Sequence, residues 1–87
     1  MRYDLAEIKR LMNTYKSYIN IADKNITEGI IKVNNWNYRQ VEDYSPARES
    51  FIKSEKSNIE SFKRIKSDNE FMLQLLKEKY VTLGGKL

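Results

Sequence analysis

The sequence predicts an all-α protein, a long antiparallel two-helix hairpin that is coiled-coil-like. Three observations support this fold class. Apolar residues recur every seven positions through the first half of the chain, a serine–proline pair restarts a helix near the middle, and only 3 glycines and 1 proline interrupt the 87 residues. A chain of this length forms one domain at most, so we expect a single helical domain over residues 1–87.

The first helix is expected near residues 4–36, where the seven-residue repeat is strict. The spacing is that of the seam in a coiled coil or a long bundle helix. Two small seam residues, Ala22 and Gly29, would let a facing helix approach closely. The repeat consists of two interleaved series: Leu5, Met12, Ile19, Ile26 and Val33, and Ile8, Tyr15, Ala22, Gly29 and Trp36.

A corner is expected near residues 37–45. Asn34, Asn35 and Asn37 precede or open it, and asparagine side chains compete with a helix for its backbone hydrogen bonds. The first helix should therefore end at about Trp36.

The second helix is expected near residues 46–83. Ser45 suits the N-cap and Pro46 the first helical position, while Gly84–Gly85 would stop the helix. Its apolar stripe is less regular, and Glu55 makes the seam polar close to the corner. We therefore expect looser packing near the corner than at the far end.

Two helices cannot cover all the apolar side chains of this sequence. Leu11, Tyr18, Ile21 and the pair Ile30–Ile31 lie beside the first seam and widen it. Large uncovered apolar patches on a protein usually mark an interface. The sequence therefore predicts a protein partner, and also a homo-oligomer in which Ile19, Ile26 and Ile30 are buried between chains.

Composition excludes most catalytic chemistry. The chain has no histidine and no cysteine, which removes the usual general base, the thiolate nucleophile and the commonest zinc ligands. No glycine-rich phosphate loop occurs. We therefore expect a non-enzymatic protein with no catalytic residues, cofactor or metal site.

The sequence also bears on location. It contains no signal-peptide pattern and no apolar run long enough to cross a bilayer. We therefore expect no membrane association and a cytoplasmic location, in a host cell if the chain is phage-encoded.

The candidate partner-binding residues fall into two groups. Tyrosines dominate many binding hot spots, although packing within the fold is the alternative role for each of them. A local cluster of basic residues could attract an acidic partner or phosphates, although a solvated helix face is the alternative there. The candidates are Tyr18, Tyr38, Tyr44, Lys63, Arg64 and Lys66.

Three segments carry a family resemblance: the opening EIKRLMNTYKSYINIADKNI, the corner VEDYSPARES and the closing LQLLKEKYV. Together they resemble the helical part that precedes the DNA-binding region in ArpU/RinA-like late-gene transcription regulators from phages of low-GC Gram-positive bacteria. The resemblance implies a phage or mobile-element origin and an interaction role. It transfers no catalytic or DNA-contacting residue.

The leading hypothesis is a small non-enzymatic interaction protein that regulates or inhibits a larger complex by helical docking. The first alternative is a nucleic-acid-binding accessory factor or transcription regulator that places its basic residues against phosphates. The second is a scaffolding or assembly coiled coil. Salt dependence separates the first two, because phosphate binding weakens steeply with salt and apolar docking does not.

Overall fold

The computed structural model describes residues 4–87. Helix α1 spans Leu5–Glu42 and helix α2 spans Pro46–Thr82. The two helices pack against each other in an extended antiparallel hairpin measuring 60 × 20 × 14 Å. The predicted all-α two-helix hairpin is confirmed; self-association stays a prediction.

Helix α1 continues further than the sequence predicted. It begins after Asp4, whose carboxylate accepts a hydrogen bond from the Glu7 N–H at 2.7 Å, and it ends at Glu42 rather than at Trp36. The expected loop at 37–45 is therefore wrong in length, since only residues 43–45 are non-helical. An asparagine costs a helix only about 0.5 kcal/mol relative to alanine, which the contacts of Trp36 and the corner outweigh.

The corner is held by the side chain of Gln40. Its amide donates to the Ser45 carbonyl at 2.9 Å and accepts from the Ser45 N–H at 2.9 Å. The same oxygen accepts from the Arg48 guanidinium, which also donates to the carbonyl of Asp43. One glutamine thus joins the last turn of α1 to the first turn of α2 and fixes the tight connection.

Helix α2 begins as predicted. The hydroxyl of Ser45 accepts from the Arg48 N–H at 3.3 Å, and Pro46 opens the helix. At the other end the N–H groups of Gly84 and Gly85 donate to carbonyls of the last turn, and Gly84 has φ 93°. That left-handed conformation suits glycine and reverses the chain direction, so the predicted glycine stop is confirmed within one residue.

The predicted seam is the buried face of α1. Its ten residues are all buried or half-buried, with Ile8, Met12, Ala22, Gly29 and Val33 the most enclosed. On α2 the two buried residues, Ile52 and Ile59, pack with Val33 in the half nearest the corner. The expectation of looser packing there is wrong, because closely approaching helices let these two isoleucines fill the seam on either side of Glu55.

The helices approach each other closely at Gly29. A methyl group placed on it would lie 2.7 Å from Cγ1 of Ile59 and 3.0 Å from a carboxylate oxygen of Glu55. Carbon atoms in van der Waals contact lie roughly 3.5–4.0 Å apart. The absence of a side chain at Gly29 therefore sets the spacing of the helices at mid-hairpin.

Candidate functional site

A shallow groove with apolar walls runs between the helices on one side of the hairpin. Tyr18 and Ile21 of α1 form one wall, and Phe62 and Ile65 of α2 form the other. Ala22 lies in the floor, and the groove encloses about 250 Å³. We call these five residues the apolar groove.

Helix geometry explains how these side chains meet. Tyr18 and Ile21 are three residues apart, as are Phe62 and Ile65, so each pair occupies one turn of its helix. The ring of Tyr18 meets that of Tyr15 edge-to-face at 6.0 Å, which orients it at the groove wall. Ile21 is nevertheless 55% exposed and Ile65 47% exposed, so the groove is uncovered.

The three tyrosines predicted to bind a partner do not share one surface. Tyr18 lies in the apolar groove, but Tyr38 is twenty residues further along α1, or about 30 Å away. Tyr38 is 69% exposed on α1 near the corner. Tyr44 lies in the connection, where its hydroxyl donates to the carboxylate of Glu49; this hydrogen bond raises the pKa of Tyr44.

The predicted basic cluster is partly neutralised by carboxylates. The ammonium group of Lys66 pairs across the helices with Asp23 at 2.6 Å, and that of Lys63 pairs with Glu60 at 3.3 Å. The hydrogen bond from Lys66 to Asp23, followed by the attraction of the two charges, raises the pKa of Lys66. Arg64 is exposed and, within residues 4–87, forms no ion pair.

The three residues predicted to be buried between chains differ in how much of their surface is exposed. Ile26 packs against the cluster of Val33 and Ile59, and Ile19 is half-buried in the seam. Both are therefore used, at least in part, inside the hairpin. Ile30 is 43% exposed and is the member of the three that offers the most free surface.

The structure contains a second groove that the sequence does not predict. Four lysines from both helices and the C-terminal segment line it together with Met12, Asn13, Tyr80 and Leu87; they are Lys9, Lys16, Lys77 and Lys86. No local sequence motif predicts this second groove, because its residues come together only through the antiparallel register of the helices. In the sequence Lys9 is followed by Arg10, and this basic pair is the one local signal on the α1 side of the groove.

Two further features of residues 4–87 concern a cluster of metal-ligating side chains and a membrane-spanning helix. Over residues 4–87 no three acidic side chains converge in a way that could hold a metal. Neither α1 nor α2 contains an apolar stretch suited to crossing a membrane. Comparison with family models, curated proteins and solved structures finds no match to the chain.

Proposed function

We propose that this protein is a non-enzymatic interaction module whose apolar groove docks an acidic amphipathic helix of a larger protein. The observation that carries the proposal is the groove itself, with Tyr18, Ile21, Phe62 and Ile65 around a floor of Ala22. Two packed helices with an uncovered apolar groove form the receiving half of the helix-in-groove mode of recognition. A docked third helix would complete a bundle.

The exposed part of the groove is sufficient to matter energetically. Full burial of an isoleucine or phenylalanine is worth roughly 1.5–3 kcal/mol, and about half of the surface of Ile21 and Ile65 is still exposed. Each would therefore contribute about 1 kcal/mol on docking. Tyr18 adds a rigid aromatic contact with few torsions to immobilise.

Charge favours an acidic partner helix over a second copy in this groove. The chain carries a formal net charge of +4, so its field attracts an acidic helix to this groove more strongly than a second, equally basic copy. Arg64, which is exposed and forms no ion pair within residues 4–87, lies between Phe62 and Ile65 in the sequence of α2. Exposed charges of this kind speed association more than they prolong the complex.

A regulatory role follows from such docking. A module that holds a helix of its target withholds that helix from its other contacts, and can inhibit or redirect the larger complex. A phage or mobile-element origin, implied by the resemblance to late-gene regulators, fits this role. The nucleic-acid alternative loses support at the predicted basic cluster, because Lys63 and Lys66 are paired with Glu60 and Asp23.

The experiment is site-specific photo-crosslinking in the native cells, followed by mass spectrometry. A photoreactive phenylalanine analogue replaces Tyr18, and in a second strain it replaces Ile31. Ile31 lies nine residues after Ala22, so it is rotated by about 180° from the groove floor. The proposal expects an adduct with an acidic helix of another protein from position 18 and not from position 31.

Matched substitutions complete the test. Ile21→Glu places a charge in the apolar groove, and Ile31→Glu places one outside it; the two isoleucines are 55% and 54% exposed. The first should abolish the adduct and the second should preserve it, with equal helix content by circular dichroism. An adduct with a second copy of the chain, or equal loss in both variants, would overturn the proposal.

A further inference from the structure

The lysine groove, lined by Lys9, Lys16, Lys77 and Lys86, lies at the open end of the hairpin. Lys9 and Lys16 are seven residues apart on one face of α1, and Lys77 faces them from α2. The groove encloses about 330 Å³, which is in the lower part of the range of small-molecule pockets, roughly 300–1,000 Å³. It is therefore large enough for a compact ligand group.

The glycine turn after α2 builds one wall of this groove. Gly84 and Gly85 donate to the carbonyls of Val81 and Tyr80, each at 2.9 Å, and turn the chain back. The ring of Tyr80 packs directly on Gly85, where an added methyl group would overlap the ring carbons. The turn thus brings Lys86 beside Tyr80, Lys77 and α1.

The four ammonium groups of the groove form no ion pair within the described residues. Across the described chain, residues 4–87, no carboxylate lies within 4.0 Å of any of the four ammonium groups. No acidic residue lines the groove. Four like charges around one concave surface raise the local concentration of anions, and a bound anion would relieve their mutual repulsion.

We propose that the lysine groove binds closely spaced phosphate groups. Each phosphate carries about −1.5 to −2 charges at neutral pH when it is terminal, so two neighbouring groups match the four lysines. Lysine acts on phosphate as a point charge with three donors, and the Asn13 amide lines the same groove.

This site is independent of the apolar groove. Tyr18 follows Lys9 by nine residues, which rotates it by about 180° around α1. The two grooves therefore lie on opposite sides of the hairpin, and Lys63, Arg64 and Lys66 belong to neither wall of the lysine groove. Failure of phosphate binding would leave helix docking untouched, and the reverse also holds.

Calorimetric titration with inorganic tripolyphosphate tests the proposal. Lys16→Gln/Lys77→Gln removes two groove charges, and Lys24→Gln/Lys56→Gln removes two exposed charges elsewhere, so both variants have the same net charge. A charged hydrogen bond is worth roughly tenfold in affinity. The groove variant should bind at least about tenfold more weakly than the control variant, with unchanged circular dichroism.

A second variant keeps every charge and alters only the geometry. Gly85→Ala forces the ring of Tyr80, which lines the groove, to move, so tripolyphosphate affinity should fall several-fold. Unchanged affinity in this variant, or equal affinity in the two lysine variants, would overturn the site. Equally tight binding of a glutamate oligomer would overturn it too, because the groove would then select negative charge alone.

A further titration identifies the source of the phosphates. Binding of a short oligothymidylate through the same lysines points to a nucleic-acid backbone. The slope of log K against log salt concentration should then be smaller by about 1.4 in Lys16→Gln/Lys77→Gln, because each neutralised phosphate of a single strand contributes about 0.7. Binding of tripolyphosphate without the oligonucleotide points to a free polyphosphate or a nucleotide. Both results support the site.

Discussion

Replacing Gly29 with alanine sets two effects of similar size against each other. Alanine stabilises a helix interior by about 1 kcal/mol relative to glycine. The added methyl group, however, would lie 2.7 Å from Cγ1 and 3.2 Å from Cδ1 of Ile59. Cγ1 is bonded to the β-carbon, so it can move only if the backbone shifts or if Ile59 leaves the side-chain rotamer that helices strongly prefer.

The magnitude follows from these two terms. Overpacking a fitted core costs about 1–3 kcal/mol, and the gain in helix propensity offsets about 1 kcal/mol of that. Gly29→Ala should therefore lower the free energy of unfolding by about 0–2 kcal/mol. Urea unfolding, followed by circular dichroism and by the fluorescence of Trp36 beside Phe51, measures this change.

A double-mutant cycle isolates the clash from the propensity. Ile59→Ala removes Cγ1 and Cδ1, two of the three atoms that the new methyl group would meet, at a cost of about 2–5 kcal/mol. The third is the carboxylate oxygen of Glu55, which ends a flexible side chain and can move aside. In that background Gly29→Ala should raise stability by about 1 kcal/mol, because only the propensity remains. A stabilising osmolyte keeps all four proteins folded during the measurement.

The size of the coupling energy between residues 29 and 59 decides the outcome. Contact between residues 29 and 59 predicts a coupling energy of about 1–3 kcal/mol. If Gly29→Ala stabilises the protein equally in both backgrounds, the helices do not approach each other at Gly29 and the explanation of the seam spacing is refuted.

Three further predictions concern other surfaces. Sedimentation at micromolar concentration should show self-association that Ile30→Glu weakens, since Ile30 is exposed beside the seam; a monomer at every concentration would contradict it. Because pairing with Asp23 raises the pKa of Lys66 above 10.5, that pair stabilises the fold fully below this pH and is lost as the pH rises through the folded-state pKa. Raising the pH above 10.5 should therefore lower the free energy of unfolding in urea less in Lys66→Met than in the unsubstituted protein. An equal decrease in both would exclude the pair. Gln40→Ala should lower the free energy of unfolding by about 1–3 kcal/mol through lost corner hydrogen bonds, whereas Gln40→Glu, which keeps an acceptor, should lower it less.

The seam could be predicted from sequence because it depends on local spacing. A seven-residue repeat fixes which face of α1 is buried, and the N-cap Ser45 with Pro46 fixes where α2 begins. The end of α1 could not be predicted, because it depends on the hydrogen bonds that Gln40 makes across the corner. A prediction based on helix propensity alone overestimates how strongly asparagine ends a helix.

The grooves could be predicted only in part. The apolar side chains beside the seam predict an uncovered surface, and Tyr18 lies in the apolar groove; its role in binding stays a prediction. Whether Lys66 is paired, and whether Lys9 lies near Lys77, depends on the antiparallel register of the helices. Register arises from the packing of the whole hairpin, so composition and periodicity do not reveal it.

The tight corner also determines the order in which the hairpin can close. Trp36 and Phe51 meet across a short loop, whereas Met12 and Lys77, on opposite walls of the lysine groove, join much more distant parts of the chain. Each doubling of loop length adds about 0.6 kcal/mol of closure entropy. Pairing should therefore begin beside the corner and advance toward the open end, with opening in the reverse order. Amide protons near Lys77 should exchange faster than those near Ile52, and a phosphate ligand held between the helices there would slow the first step of unfolding.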